Sequence, residues 1–154
     1  MLPLELLLKI LFGPFEAAEK LTIFNINQYE NDYFNIPIKH LITIADFFHV
    51  SIDYLLDNQS EVSDNKQYHH VDAATSGARL KAWRKENKLT QEKLAGILNT
   101  THSNIAFYEK GRNLIATPFL YMICHKYHVS DDYLLGRIDY NIKKTENSFS
   151  VIFC

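Results

Sequence analysis

The side chains best suited to chemistry in this chain lie at the start of one short helix, THSNIAFYEK, which begins after Thr101. Threonine is a helix-capping residue type, and His102, Ser103 and Asn104 follow it in the first turn. Asparagine can pair with both polar atoms of an adenine edge, serine and histidine can donate or accept, and Phe107 can pack on a thymine methyl or in a core. Because the major groove admits an α-helix, a helix that carries these four side chains at its start has the chemistry needed to contact base edges there.

The charge of the chain is divided unevenly along its length, although the formal net charge of the whole is only −2. Residues 75–137 hold ten Lys and Arg against five Asp and Glu, a net charge of +5. Residues 1–60 hold three Lys against eight Asp and Glu, a net charge of −5. Phosphate contacts dominate the affinity of proteins for DNA. We therefore expect DNA binding from residues 75–137 and a different role for residues 1–60.

One pattern of residues occurs twice, 79 positions apart. Residues 22–57 and 101–136 are identical at 15 of 36 positions without a gap. The dipeptide Tyr-Glu recurs, and so does the longer run His-Val-Ser-x-Asp-Tyr-Leu-Leu. Self-similarity of this kind indicates two supersecondary units. We call them the first unit and the second unit.

Cap and stop signals divide each unit into short helices, with no convincing strand. The fold class predicted is therefore all-α, with two tandem five-helix domains. The helix caps expected in the second unit are Thr75 or Ser76, Thr90, Thr101, Thr117 (followed by proline) and Ser130. The expected boundaries are 1–58 for the first unit, 59–74 for a polar linker, 75–137 for the second unit and 138–154 for a C-terminal tail.

Four motifs occur together in residues 79–136: R-L-x-x-W-R, L-T-Q-x-x-L-A, S-N-I-x-x-Y-E-x-G-R and V-S-x-D-Y-L-L-G. In this combination the second unit resembles the phage-repressor and Cro type of helix-turn-helix. That bacterial and phage family is often named after its xenobiotic-response-element (XRE) regulators. The resemblance implies a lambda-repressor-like fold whose third helix reads DNA. The first unit is a degenerate copy, because it keeps scaffold residues but lacks the glutamine that starts the second helix.

The resemblance also implies a role for Gln91, which stands where the family grips a phosphate and braces the third helix. Thr90 and the neighbouring backbone N–H groups can assist, because a helix N-terminus attracts anions. The basic residues of the second unit supply the remaining expected phosphate contacts. They are Arg79, Arg84, Lys93, Lys110 and Arg112.

The first unit is apolar at the positions where the second unit carries its expected reading residues. Its N-terminal part is the strongly apolar segment MLPLELLLKILFGPF. A contiguous apolar patch usually marks a contact, although this segment can also fill the core of its own domain. We expect the first unit to hold a homodimer or a protein partner and to make no direct DNA contact. The candidate contact residues are Leu4, Leu7, Leu8, Leu11, Phe12, Ile23 and Phe24.

The chain lacks the residue patterns of an enzyme: we find no Ser/His/Asp or Cys/His arrangement and no glycine-rich phosphate loop. Cys124, His125 and His128 form a C-H-x-x-H cluster, but no second ligand pair has metal-site spacing. We therefore predict no catalysis, no cofactor and no metal. Two cysteines far apart in sequence favour a reduced, cytoplasmic protein, and no apolar stretch is long enough to predict a membrane span.

These observations predict a sequence-specific transcriptional regulator that binds a double-stranded DNA operator as a homodimer, with repression the expected mode. Two alternatives remain open. One is an antitoxin or anti-repressor whose main partner is a protein. The other is a monomer in which both units read DNA in tandem, with Asn25 and Gln28 of the first unit supplying base contacts.

Overall fold

The computed structural model describes residues 36–57 and 67–141. Within these ranges there are seven helices, joined by turns and loops, and no strand. None of these helices is long and apolar enough to cross a bilayer. The helices are α1 (Ile38–Phe48), α2 (Ile52–Asp57), α3 (Ala73–Glu86), α4 (Gln91–Ile97), α5 (His102–Glu109), α6 (Thr117–Tyr127) and α7 (Asp131–Leu135).

The 79-residue repeat is visible in the described helices. Helix α1 begins and ends 79 positions before α6, and α2 begins 79 positions before α7. The residue that ends the earlier helix of each pair is a histidine in the left-handed region, His49 with φ 55° and His128 with φ 53°. The two units therefore share the same corner between their last two helices. The first three helices expected in the first unit lie outside the described residues.

Most of the expected caps hold their helices. Thr90 accepts the N–H of Lys93 at 3.1 Å, and Thr101 accepts the N–H of Asn104 at 3.3 Å. Ser130 caps α7 in the same manner, because its hydroxyl accepts the N–H of Tyr133 at 3.3 Å. Local capping chemistry was therefore sufficient to place α4, α5 and α7.

Two expected caps are wrong. Helix α3 begins at Ala73 and is capped by Asp72, whose carboxylate accepts both the N–H and the hydroxyl of Thr75, at 2.9 and 2.6 Å. Thr75 and Ser76 therefore lie inside the helix. Thr117 is also helical, since the residue before α6 is Ala116. Its hydroxyl donates to the carbonyl oxygen of Ile36 in the first unit and does not cap α6.

One apolar core includes both units. Leu41 and Ile44 of α1 are fully buried in the same cluster as their repeat equivalents Leu120 and Ile123 of α6. The polar segment expected as a linker contributes as well, since Val71 is buried in this cluster. The described parts of the two units therefore pack as one body.

Helices α3 and α5 approach each other closely at Gly77. A Cβ atom at this position would lie 2.2 Å from the carbonyl oxygen of Tyr108 and 3.0 Å from that of Glu109. Both are backbone atoms, so the clash is relieved only by moving one helix. Glycine is therefore required here to set the spacing between α3 and α5.

Gly77→Ala is expected to lower the free energy of unfolding by at least ~1–3 kcal/mol, the usual cost of overpacking. Gly96→Ala is the matched control, because a Cβ there meets nothing within 4 Å and the residue lies inside α4. The control should gain ~0.5–1 kcal/mol from helix propensity. Urea unfolding of the two variants measures both effects, and equal stabilities would contradict the close approach.

Candidate nucleic-acid interface

Helices α4 and α5 form a helix-turn-helix whose geometry follows from local signals. Thr90 caps α4. Asn99 lies just after the C-terminal end of α4 and has φ 53°, in the left-handed region that asparagine tolerates. Thr101 then caps α5. Local residue preferences at these three positions therefore determine where the second helix of the pair begins.

The first turn of α5 presents its polar side chains to solvent. His102, Ser103 and Asn104 are all exposed, and Phe107, one turn later, is 46% exposed. Ile105 lies on the opposite side of the helix and is fully buried. The four predicted reading residues thus share the outward part of α5, and Phe107 is not a core residue.

The side-chain amide of Asn104 is already oriented before any ligand binds. Its Nδ2 donates to the hydroxyl oxygen of Thr100 at 2.8 Å. A second Nδ2 hydrogen and the amide oxygen are the two groups that a bidentate contact with adenine uses. The Thr100 contact is compatible with that pairing and reduces the rotamer freedom lost on binding.

Glu109 fixes the far end of α5 to both preceding helices. Its carboxylate accepts Nε of Arg84 at 2.5 Å and Nη2 of Arg84 at 3.1 Å, and Nε2 of Gln91 at 2.8 Å. Arg84 also donates to the carbonyl oxygen of Leu89 at 2.7 Å. The Arg84 and Glu109 side chains are only 10% and 3% exposed, and the bond to Glu109 raises the pKa of Arg84. Through Arg84, Gln91 and Glu109, these hydrogen bonds fix the positions of α3, α4 and α5 relative to one another.

Two of the expected phosphate contacts are committed elsewhere. Arg84 is buried against Glu109, as described above. Nη1 of Arg79 donates to the carbonyl oxygens of Tyr133 and Ile138, and its Nη2 lies 3.3 Å from the carboxylate of Asp139. We therefore correct the prediction for both arginines, because the hydrogen-bond donors named here are used within the domain.

The remaining basic candidates lie on α4 or just after the end of α5. Lys93, Lys110 and Arg112 are exposed, and the Arg112 guanidinium lies 5.9 Å from the centre of the Phe107 ring. Thr90 is exposed as well, and Gln91 is half-buried through its contact with Glu109. The exposed candidates thus combine the polar side chains of α5 with positive charge on neighbouring positions.

The predicted partner surface of the first unit lies outside the described residues. This applies to each of its candidate contacts, Leu4, Leu7, Leu8, Leu11, Phe12, Ile23 and Phe24. It applies equally to Asn25 and Gln28, on which the tandem-reader alternative rests.

The histidines and the cysteine of the C-H-x-x-H cluster do not converge. Cys124 is buried, whereas His125 and His128 are exposed. Across residues 36–57 and 67–141, no group of three or more Asp, Glu, Cys or His side chains has an arrangement that could hold a metal ion.

Sequence reasoning missed the Glu109 contacts and the exclusion of Arg79. A signal for the first was present, because the Tyr-Glu dipeptide is one of the identities between the two units. No signal in the sequence indicated the second, since Asp139 lies 60 positions away from Arg79.

Comparison with known proteins gives a match to a family model that covers this interface, and a match to a related protein. A family model described as a helix-turn-helix domain matches residues 77–139. A protein of Rhodospirillum rubrum named as a transcriptional regulator in the ATPase CF(0) region is 36% identical over 77 residues, which are 50% of this chain and 70% of the relative. No solved structure gives a significant match.

Proposed function

The chain belongs to the helix-turn-helix family of DNA-binding transcriptional regulators, and we propose that it represses transcription by placing α5 in the major groove of a specific operator. The observation that carries this proposal is the outward polar face of α5, with His102, Ser103 and Asn104 exposed in its first turn. We propose repression rather than activation because a bound regulator can block polymerase sterically, without a further activating surface.

The rigid mounting of α5 supports a role in base recognition. Base readout needs side chains held within a narrow geometry, which is best supplied by residues on a fixed element. The buried Arg84–Glu109 pair anchors one end of α5, and the Thr101 cap defines the other. Between them, Asn104 is the residue with the greatest capacity for discrimination, because it can make a bidentate contact with adenine.

The exposed cations supply the sequence-independent part of the binding free energy. Lys93 lies on α4, and Lys110 and Arg112 follow α5, so positive charge borders the reading face at both ends of the motif. With Thr90 and Gln91, these residues form the phosphate-binding set that we propose. Arg79 and Arg84 are not members of it.

Asn104→Ala is expected to weaken binding to the operator by about 1–3 kcal/mol and to relax the preference at one base pair. Arg112→Ala is expected to weaken operator and random duplex alike, and to reduce the slope of log affinity against log salt by about 1. Titration of each variant against both duplexes over a salt series measures the two effects separately.

Lys126→Ala is the charge-matched control, because Lys126 is an exposed cation on α6 rather than on α4 or α5. It should leave the salt slope unchanged. Equal losses on operator and random duplex for Asn104→Ala would remove this residue from base reading. An unchanged slope for Arg112→Ala would remove that residue from the phosphate-binding set.

We also propose that the operator-bound form is a homodimer held through the apolar residues of the first unit. One small reading domain gives limited discrimination, whereas specific binding typically exceeds non-specific binding by ~10³–10⁷. Two readers on half-sites about one helical turn apart meet that requirement. The mass of the operator complex from light scattering tests this directly, because a single chain per operator would contradict it.

A further inference from the structure

The first and second units are joined through the starts of two equivalent helices, α2 and α7. The Asp132 carboxylate accepts the backbone N–H groups of Ile52 and Asp53 at the start of α2, both at 3.1 Å. The Asp53 carboxylate accepts the N–H groups of Asp131 and Asp132 at the start of α7, at 3.0 and 3.5 Å, and the hydroxyl of Ser130. We call this contact, in which each aspartate caps the helix of the other unit, the joint.

Arg137 fixes the C-terminal end of α1 at the joint. Its side chain is fully buried, donates to the carbonyl oxygen of Val50 at 3.1 Å and to Asp132 at 2.5 Å, and forms an ion pair with Asp46 of α1 at 2.8 Å. Tyr68 lies over the guanidinium, 4.2 Å from ring centre to guanidinium carbon. This end of α1 is therefore held by a residue of the second unit.

The opposite end of α1 lies against the connection between α5 and α6, residues 110–116. Ile36, just before α1, is buried, and its carbonyl oxygen accepts the hydroxyl of Thr117. A cavity of about 430 Å³ lies beside this contact, and its lining includes Lys39 in the first turn of α1 and Asn113 of the connection. Because both ends of α1 are held, the fold determines where Lys39 lies relative to α5.

Lys39 places positive charge of the first unit next to the proposed phosphate-binding set. Lys39 is exposed, and it is the only charged residue among the described residues that line the cavity. Asn113, on the other side of the cavity, directly follows the exposed Arg112, and the exposed Lys110 begins the same connection. The three cations therefore belong to one part of the surface, although Lys39 comes from the other unit.

The acidic character of the first unit does not extend to the start of α1. Over residues 36–57 the acidic residues are Asp46, Asp53 and Asp57, which lie in the last turn of α1 or in α2. Asp46 is paired with Arg137, and Asp53 is buried in the joint. No side chain caps the start of α1, so its first backbone N–H groups also contribute positive potential there. The local charge at this end of α1 is therefore positive.

We propose that the DNA-binding surface continues from the second unit onto the first, with Lys39 binding a backbone phosphate next to those bound by Lys110 and Arg112. Duplex DNA carries a negative charge about every 1.7 Å along its axis, so a cation beside bound phosphates has further phosphates within reach. Such a contact requires that the chain binds DNA as proposed above, and it revises the expectation that the first unit makes no direct DNA contact. It strengthens binding without adding sequence information, because phosphates are the same in every sequence.

Lys39→Ala in the full chain, titrated against a random duplex over a salt series, tests the proposal. We expect the slope of log affinity against log salt to fall by about 1, the change for one phosphate contact. Lys39→Gln keeps most of the side-chain stem and should give the same reduction, which keeps the test valid if alanine disturbs the packing at the cavity. Lys39→Arg keeps the cation and should keep the wild-type slope.

The double variant with Lys39→Ala and Phe47→Lys separates a local contact from a change in net charge. Phe47 is 51% exposed and lies about 12 Å from Lys39 along α1, at 1.5 Å per residue. The net charge of this variant equals that of the wild-type chain, but the cation lies at the end of α1 next to the joint. Its slope should therefore equal that of Lys39→Ala.

Arg112→Ala in the same titration distinguishes failure of this proposal from failure of the proposed function. A reduced slope for Arg112→Ala, with wild-type slopes for Lys39→Ala and Lys39→Gln, would overturn the role of Lys39 and leave the function intact. A wild-type slope in the double variant would also overturn that role, because binding would then depend on net charge alone. Wild-type slopes for Arg112→Ala and both Lys39 variants would contradict the phosphate-binding set itself.

Discussion

At pH 8, where the Asp132 carboxyl is ionised, Arg137→Ala should lower the free energy of unfolding by about 3–5 kcal/mol, the cost of removing one partner from a buried ion pair. The guanidinium is the cation that faces Asp132, whose side chain is only 1% exposed. Its removal leaves that carboxylate beside Asp53 without the compensating charge, and it also removes a donor to the Val50 carbonyl oxygen. Because the same side chain bridges the two units, the loss should be global rather than local.

Asp46→Asn is the matched control for this variant. Asp46 is also paired with Arg137, at 2.8 Å, but its side chain is 47% exposed. Exposed ion pairs contribute about 0–1 kcal/mol, so this substitution should cost little. Urea unfolding of both variants gives the comparison. Similar costs for the two would mean that the Arg137–Asp132 pair contributes no more than a surface pair.

The parts of the fold that could be predicted from the sequence are those that depend on local chemistry. Thr90, Thr101 and Ser130 were identified as caps because serine and threonine accept the N–H of a residue two or three positions later. Asn99 follows α4 in the left-handed region, which asparagine tolerates better than most residues. These signals determine where α5 begins, and therefore which side chains occupy its first turn.

The non-local parts could not be predicted, and the reason is the same in each case. Charge and residue type are visible in the sequence, but the partner is not. Arg79 and Arg112 look equivalent as basic residues, yet one is bonded to the carbonyl oxygens of Tyr133 and Ile138 and the other is exposed. Gly77 gave no signal, because its requirement is set by a carbonyl oxygen 31 positions away at residue 108.

The same limit applies to the joint between the units. Aspartates in the first turn of a helix are ordinarily explained by the helix dipole, which favours negative charge at that end. The repeat showed that Asp53 and Asp132 are equivalent, but equivalence by itself does not imply contact. Two short helices can share a sequence in unrelated positions, and only the reciprocal capping distances show that these two meet.

The joint also makes stability depend on pH in an unusual direction. Burial, then the neighbouring Asp53 carboxylate, raise the pKa of Asp132 from 3.8 to about 7, although Arg137 acts in the opposite sense. The other titratable groups around it are Asp131, Asp46 and Tyr68. A carboxyl whose pKa is higher in the folded state than in the unfolded chain binds its proton more tightly when folded. Its contribution to stability is fully present below about pH 4 and is lost as the pH rises through about 7.

We therefore expect the free energy of unfolding of the wild-type chain to fall between about pH 4 and pH 7, by at most about 1.4 kcal/mol per pH unit, the limit for one proton. Asp132→Asn cannot titrate, so its stability should vary less over this range even though its absolute stability is lower. The exposed carboxyls Asp72 and Asp139, whose hydrogen bonds lower their pKa, act only at more acidic pH. The histidines are common to both chains and cancel in the difference. Urea unfolding at each pH measures the two slopes, and parallel curves for wild type and variant would show that Asp132 does not hold the proton that links this joint to pH.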